Sequence, residues 1–498
     1  MGPASARLRL ALSLGTLALV FGAPGRAQTP TFQSLGTLSP FIGSHAAGVS
    51  ADGAVVVGAV SHTSQFWAFR WTQATGLVAL GPGPGGSNGS LATAVSANGA
   101  VVVGHFFQNT FASGEAYRWT QATGIVGLGD LPDGLSLSRA LAASADGAVV
   151  VGMGQSAAGT EAYRWTQATG MVGLGDFSGG SFNSEAADVS ADGAVVVGRG
   201  QSASGSEAFR WTAASGLVGL GDLPGGTFSS AAAGVGRGQS ASGSEAFRWT
   251  AASGLVGLGD LPGGTFSSAA AGVSADGAVV VGSGSSGGAG TEAFRWTAAT
   301  GMVGLGFLPG HDRSEALGVS ADGAVVVGVS STAAERRAFV WTAATGMRDL
   351  KTALQADFGL DLTGWTLNAA YAVSDDGTII VGSGTNTQGA ELAYRAGAPF
   401  ATAAEGEPGP STGLTLSASR PSPATGDAAL TLTLDAAQAV RVEVFDGLGR
   451  RVAVLHDGTL GAGAHTLWLD VAALPPGLYV ARAAGADGTA TRRVTVAR

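Results

Sequence analysis

The chain has no cysteine and a single lysine, Lys351, in 498 residues. Without thiols it has neither disulfide staples nor a redox centre, so its stability must come from packing and backbone pairing. Charge is scarce too: 12% of residues are Asp, Glu, Lys or Arg, and the net charge is −9. That balance argues against a general nucleic-acid binder, which needs a basic face. Six histidines occur, at 45, 62, 105, 311, 456 and 465, and no two stand at metal-ligand spacing. There is no His-Glu-x-x-His and no phosphate-binding loop. Two Gly-x-Ser-x-Gly strings, 85–89 and 284–288, lack the strand-to-helix setting of a nucleophile elbow. Long apolar runs are missing as well. The run Leu10–Gly22 is shorter than the roughly 18–20 residues that cross a bilayer. With Arg7 and Arg9 before it, and Gly25 and Ala27 at the −3 and −1 positions of a cleavage site, it reads as a signal peptide over 1–27. No cofactor, no metal and no membrane span after cleavage are expected.

What the chain does have is glycine, 83 residues, within a composition that is 45% hydrophobic. Disorder requires low hydrophobicity and high charge, so this composition points to many short strands joined by tight turns. Self-similarity fills residues 31–395. A turn residue recurs at Asp52, Asn98, Asp146, Asp192, Asp276, Asp322 and Asp376, with ordinary spacings of 46 or 48. Each unit holds four short apolar pieces: the stretch before Ser-Ala-Asp-Gly, then Ala-Val-Val-Val-Gly, Glu-Ala-Phe-Arg-Trp-Thr and Gly-Leu-Val-Gly-Leu-Gly. Four strands in such a length make one propeller blade, and Asp-Gly between the first two suggests a type I′ turn. A parallel β-helix, whose coils are shorter, ranks second.

The ends argue for a ring. Residues 32–38 read as a fourth strand with no unit before them, and the last unit, ending at Arg395, lacks its fourth strand. Pairing the two would close the ring and remove two sheet edges. The reading is therefore all-β: a propeller of about seven to eight four-stranded blades over 28–395, a linker at 396–413, and a small Ig-like β-sandwich over 414–498. One irregularity intrudes. Residues 197–234 and 235–272 are identical, and the second copy lacks eight residues of the Ser-Ala-Asp-Gly-Ala-Val-Val-Val piece. Seven complete units with an eighth, incomplete one between them are expected.

The strings VSADGAVVVG, EAFRWTAATGMVGLG and GDLPGG resemble the bacterial extracellular repeats named for a His-Ala-Phe triplet, although the triplet reads Glu-Ala-Phe or Glu-Ala-Tyr in most units. The stretch 358–386 is similar to the terminal unit of such proteins. The resemblance covers about three-quarters of the chain; it implies a secreted propeller-like array and no particular activity. VRVEVFDGLGRRVAVLHDGTLGAGAHTL, LPPGLYVAR at 474–482 and the final TRRVTVAR resemble the C-terminal sorting domains of type IX secretion cargo. Arg420-Pro421-Ser422-Pro423 stands where that family has an early Asn-Pro. The resemblance implies secretion machinery as a partner and an extracellular or outer-surface location. A plain Ig-like adhesion module is the alternative.

The turn Asp residues read as structural, since a catalytic residue need not recur in every unit and a calcium loop needs several carboxylates where most units have one. The recurring Arg (Arg70, Arg118, Arg164, Arg210, Arg248, Arg295) reads as a packing and ion-pair position. Function is sought where units differ, in the loops between second and third strands and between units. Phe66, Trp67, His105, Phe106, Phe107, Phe111, His311, Asp312 and Arg313 are the candidate ligand-binding residues, with Arg336 and Arg337 also in those loops. Phe106, Phe107 and Phe111 could equally fill gaps between blades. A non-enzymatic binder of extracellular glycan or protein is the leading reading. A glycan hydrolase or lyase, and a structural spacer, are the alternatives.

Overall fold

The computed structural model describes residues 29–62, 65–107, 114–224, 230–233, 235–287 and 290–400 of the repeat region. Beyond it, the model describes 414–416, 428–434, 436–445, 451–471, 474, 477–485 and 488–496. The expected signal peptide, Phe111 and the 446–449 turn lie outside the described residues.

The second strand of each unit shows why the sequence folds this way. In the first unit, β2 (Gly43–Val49), β3 (Val55–His62), β4 (Gln65–Thr72) and β5 (Gly76–Gly81) pair antiparallel in chain order. Val56 and Val57 are both fully buried although they point to opposite faces. A strand buried on both sides reads as an unbroken apolar run, here Val-Val-Val, because each sheet packs against a neighbour on either face. The glycine that ends the run is obligatory. A Cβ at Gly58 would lie 1.9 Å from the His45 carbonyl oxygen, where β2 bulges over β3 between Ala46 and Gly48.

The hairpin at Ser-Ala-Asp-Gly is not the expected type I′ turn. That turn needs positive φ at two residues, and Asp133 is the one non-glycine residue with positive φ among those described. Gly53 takes φ 67°, its N–H donates to the Ser50 carbonyl, and Ser50 N–H donates to the Val55 carbonyl. Asp52 Oδ1 accepts from Ser50 Oγ at 2.6 Å and from Ala54 N–H at 3.0 Å. The Asp thus ties down its own loop, and its carboxyl is held below the usual range chiefly by the Ser50 hydroxyl. The same arrangement is found at Asn98, Asp146, Asp192, Asp276, Asp322 and Asp376.

Six separate four-stranded sheets and one eight-stranded sheet make up the repeat region. The eight-stranded sheet is two four-stranded units joined by one parallel bridge, Ser244 to Ser267. Each unit packs against the next, and the last packs against the first, giving the closed ring of a β-propeller. Closure is made by β1 (Thr31–Ser34), which pairs with Glu391–Gly397: Phe32 opposes Ala396 and Ser34 opposes Tyr394. The Leu35 N–H extends the ladder to the Ala393 carbonyl. This closing strand runs past the expected domain boundary at 395, and Ala396 and Ala398 are both fully buried.

Three contacts repeat around the ring. The buried Ser at the head of every first strand except the closing unit's accepts from the Ala N–H of the preceding unit's aromatic triplet, as in Ala68 to Ser90 and Ala393 to Ser44. The recurring Arg does not form the expected ion pair. For Arg70, Arg164, Arg210, Arg248, Arg295 and Arg395 the guanidinium lies 5.6–5.8 Å over the next unit's Trp, for example Arg70 over Trp119 and Arg395 over Trp71. Several of these Arg also donate to the next turn's Gly carbonyl. The third contact joins turn to turn: Ala51 N–H donates to the Ala97 carbonyl, Ala145 to Ala191, Ala275 to Ala321, and Asp375 back to Ala51.

Among the described residues one α-helix interrupts the all-β pattern. In α1 (Leu350–Phe358), Asp349 caps the N-terminus by accepting from Thr352 N–H, and Gly359 ends it in the left-handed conformation. Its Leu350 and Leu354 are fully buried beside Leu362. In the C-terminal domain a three-stranded sheet (414–416, 428–434, 463–469) and a four-stranded sheet (438–445, 451–460, 477–485, 488–496) share one apolar core. Leu430, Leu432, Leu434 and Val440, Val442, Val444 all point inward, as their alternation requires.

Candidate functional site

The loops between second and third strands share the face opposite the Asp-Gly turns, and there the units differ. Around 105–107 the first aromatic candidates are internal. Phe106 and Phe107 are 3% and 4% exposed, and Phe106 fills the space a Cβ at Gly83 would need. His105 is mostly buried, and burial with nearby Arg139 lowers its pKa to about 4. Trp67 is half-buried against Phe41, ring centroids 5.0 Å apart, and Phe66 is half-buried beside it.

The second group of candidates sits by an open polar cleft of about 590 Å³ between the seventh unit (313–349) and the closing unit. His311, in the connection into the seventh unit, is a buried strut rather than an exposed side chain. Its Nδ1 lies 3.1 Å from Ser330 Oγ and its Nε2 lies 3.2 Å from Glu335 Oε1. Those contacts fix the loop 332–335, which Thr332 also braces by accepting from Ala334 and Glu335 N–H. Glu335 Oε2 accepts from Arg337 Nη2 at 3.0 Å, and this bond, more than the His311 contact, holds its carboxyl low. Asp312 and Arg313 are exposed nearby but do not line the cleft.

The other wall comes from strands of the closing unit, and sequence reasoning missed it. Tyr371 OH lies 3.3 Å from Ser383 Oγ, which donates to Glu391 Oε1 at 2.9 Å. His45 Nδ1 approaches the same carboxylate oxygen at 3.8 Å. Asn368, which lines the cleft, donates from Nδ2 to Thr385 Oγ1. Arg336 completes the lining and is exposed. The signal was present in the repeat itself. Tyr371 occupies the bulge position filled by Ala47, Thr93, Leu141, Ala187, Ala271 and Leu317 in the other full units. A strand-by-strand comparison would have marked it; a comparison of loops does not.

The cleft therefore offers two guanidinium groups, an amide, a phenol, four aliphatic hydroxyls and two carboxylates at an open surface. Such a set makes many directional hydrogen bonds and has little apolar floor. Among the described residues no three His, Asp or Glu side chains gather as a metal-binding group.

Residues 420–497 match the secretion system C-terminal sorting domain family, which marks the chain as a secreted or cell-surface protein handled by secretion machinery. No match was found among curated proteins. Among solved structures the chain is similar to an oligogalacturonate lyase from Vibrio parahaemolyticus (11% identity, 76% of this chain and 99% of that one, TM-score 0.38). It is also similar to the β-propeller domain of the Trilobed protease from Pyrococcus furiosus (8%, 71% and 95%, TM-score 0.39). A third is dipeptidyl peptidase 4 from Porphyromonas gingivalis (12%, 72% and 59%, TM-score 0.38). At such identities the propeller assignment rests on the sheets and their closure. No helix among the described residues is long and apolar enough to cross a membrane.

Proposed function

We propose that this chain is a non-enzymatic binding protein, exported by a type IX-like route, that holds a polyhydroxylated ligand, a glycan, in the cleft between its seventh and closing units. The observation that carries the reading is the departure of this one junction from the repeat. Here Arg336, Arg337, Asn368, Tyr371, Ser383 and Glu391 line one cleft. Sugars are recognised by planar amide, carboxylate and guanidinium groups that make paired hydrogen bonds, and a rigid ring holds such groups in place without an entropy cost on binding. In this reading the ring has eight blades, one of them shortened, and the C-terminal domain is an Ig-like sandwich that serves sorting. Phe66, Trp67, Asp312 and Arg313 form the surrounding variable face, available to a protein or a longer glycan.

A second reading is favoured by one observation. Glu335 and Glu391 both line the cleft, and paired carboxylates are what a glycoside hydrolase requires. Against it stands the state of Glu335, which Arg337 and His311 hold ionised, so it is unsuited to serve as a general acid. Incubating the full chain with a panel of extracellular glycans, read for retention and for released product, separates the readings. Retention without product is expected; turnover abolished by Glu391→Gln would replace the binding reading with the enzymatic one.

A further inference from the structure

The shortened unit leaves a vacancy in an otherwise continuous structure, on the face opposite the cleft. Six Asp-Gly turns and one Asn-Gly turn surround the axis, and six junctions join them by backbone hydrogen bonds. The seventh junction is absent. The Ala191 N–H and the Ala275 carbonyl, which would each bond a turn between them, have no backbone partner among the described residues. The fifth unit supplies none, because Ala233 already pairs with Val235.

Four further observations outline the same slot. Val195 and Val197 are partly exposed, while the matching valines of every other full unit are buried. Turn glycines Gly53, Gly99, Gly147, Gly193, Gly323 and Gly377 all press on a branched side chain of the preceding unit, but Gly277 has nothing within 4 Å. Arg210 lies over Trp249 as its counterparts do, yet the glycine carbonyl that most counterparts bond is missing. Finally, Asp188 takes a position that is Gly48, Gly272 and Gly318 in other units, where a Cβ would face the next unit's first strand. In the fourth unit that neighbour strand stops short, which leaves room for a side chain there; Asp188 Oδ1 accepts from Val189 N–H at 2.8 Å, and burial raises its pKa.

We infer that this slot is a peptide-binding site whose ligand is a short β-hairpin of small apolar residues around an Asp-Gly turn. The chemistry of the occupant is set by the six junctions that are filled. Ala191 N–H would donate to a turn carbonyl, the Ala275 carbonyl would accept a turn N–H, Arg210 would take the glycine carbonyl, and Val195 and Val197 would regain apolar cover. Strand addition to an exposed backbone edge is a general mode of peptide capture. The site is separate from the cleft, so it stands or falls independently of the proposed glycan reading.

The test uses the full chain and a backbone-cyclised peptide carrying Val-Ser-Ala-Asp-Gly-Ala-Val-Val, since an isolated linear hairpin is marginal in water. Titration calorimetry is expected to show saturable one-to-one binding that a scrambled cyclic peptide does not reproduce. Insertion of the same eight residues after position 234 fills the slot in cis and is expected to weaken binding at least about tenfold. Asp188→Gly, which restores the residue of other units, is expected to tighten it. Should the insertion variant fail to fold, Val195→Asp, which charges the wall, is read in its place. No saturable binding to the parent chain, or equal binding to the parent and filled chains, overturns the inference.

Discussion

At the scale of single residues, the ring depends on small polar groups buried between units. Ser44 is fully buried; it accepts from Ala393 N–H at 2.9 Å and donates to the Gly36 carbonyl at 2.6 Å. Ser44→Ala leaves a buried N–H without an acceptor, so a loss of about 1–3 kcal/mol is expected in urea unfolding. Thr75→Ala, in an exposed turn, should cost under about 1 kcal/mol. His105 adds a pH dependence with a definite sign. In the fold it stays neutral down to pH about 4, whereas in the unfolded chain it takes a proton near its ordinary value of 6.5. Stability is therefore full above pH 6.5 and is lost as pH falls through that window, by about 3 kcal/mol at pH 4. Turn carboxylates such as Asp52 also titrate in acid, so the informative quantity is the difference between the parent and His105→Gln, which should lose less on acidification. The sequence displayed Ser and Glu in each repeat without disclosing their partners. Glu115, for example, accepts from Gly129 N–H fourteen residues on, and Ser90 accepts from the unit before its own.

At the scale of elements, the strands were legible because their period and composition are strong. Val-Val-Val between Asp-Gly and Gly, and alternating Phe and Trp in the third strand, leave little choice of secondary structure. The turn geometry was less legible, since Asp-Gly fits several hairpins and the choice is made by Ser50 Oγ. The helix was missed because nine residues of mixed character follow a strand with no break other than Asp349, and the helix is held by packing against Leu362 rather than by propensity. The wall of the cleft was missed for a related reason: Tyr371 and Ser383 lie within strands, where an unusual residue looks like a core substitution. The duplicated element gives a direct test. Removing residues 235–272 leaves seven units, each with a turn, and restores the missing junction, provided the ring accommodates seven. Cooperative unfolding with a midpoint no lower than the parent's is expected by calorimetry. An unfolded or aggregated product would show that the shortened unit is needed for closure.

At the scale of the whole molecule, closure through β1 converts a stack of sheets with two open edges into a ring with none at that junction. Deleting residues 28–35 removes four strand residues and exposes the edge at 393–397. The expected result is a lower melting temperature together with concentration-dependent association in light scattering, as free edges demand. The same rigidity would let one junction specialise, and the proposed ligand site is where the seventh and closing units meet. Its most direct test is a glycan array probed with the parent chain, the cleft variant Asn368→Ala/Tyr371→Ala and the loop variant Asp312→Ala/Arg313→Ala. Retention by the parent and the loop variant, with a loss of about tenfold or more in the cleft variant, is the expected result. Equal retention by all three folded proteins would contradict the assignment of function to the cleft.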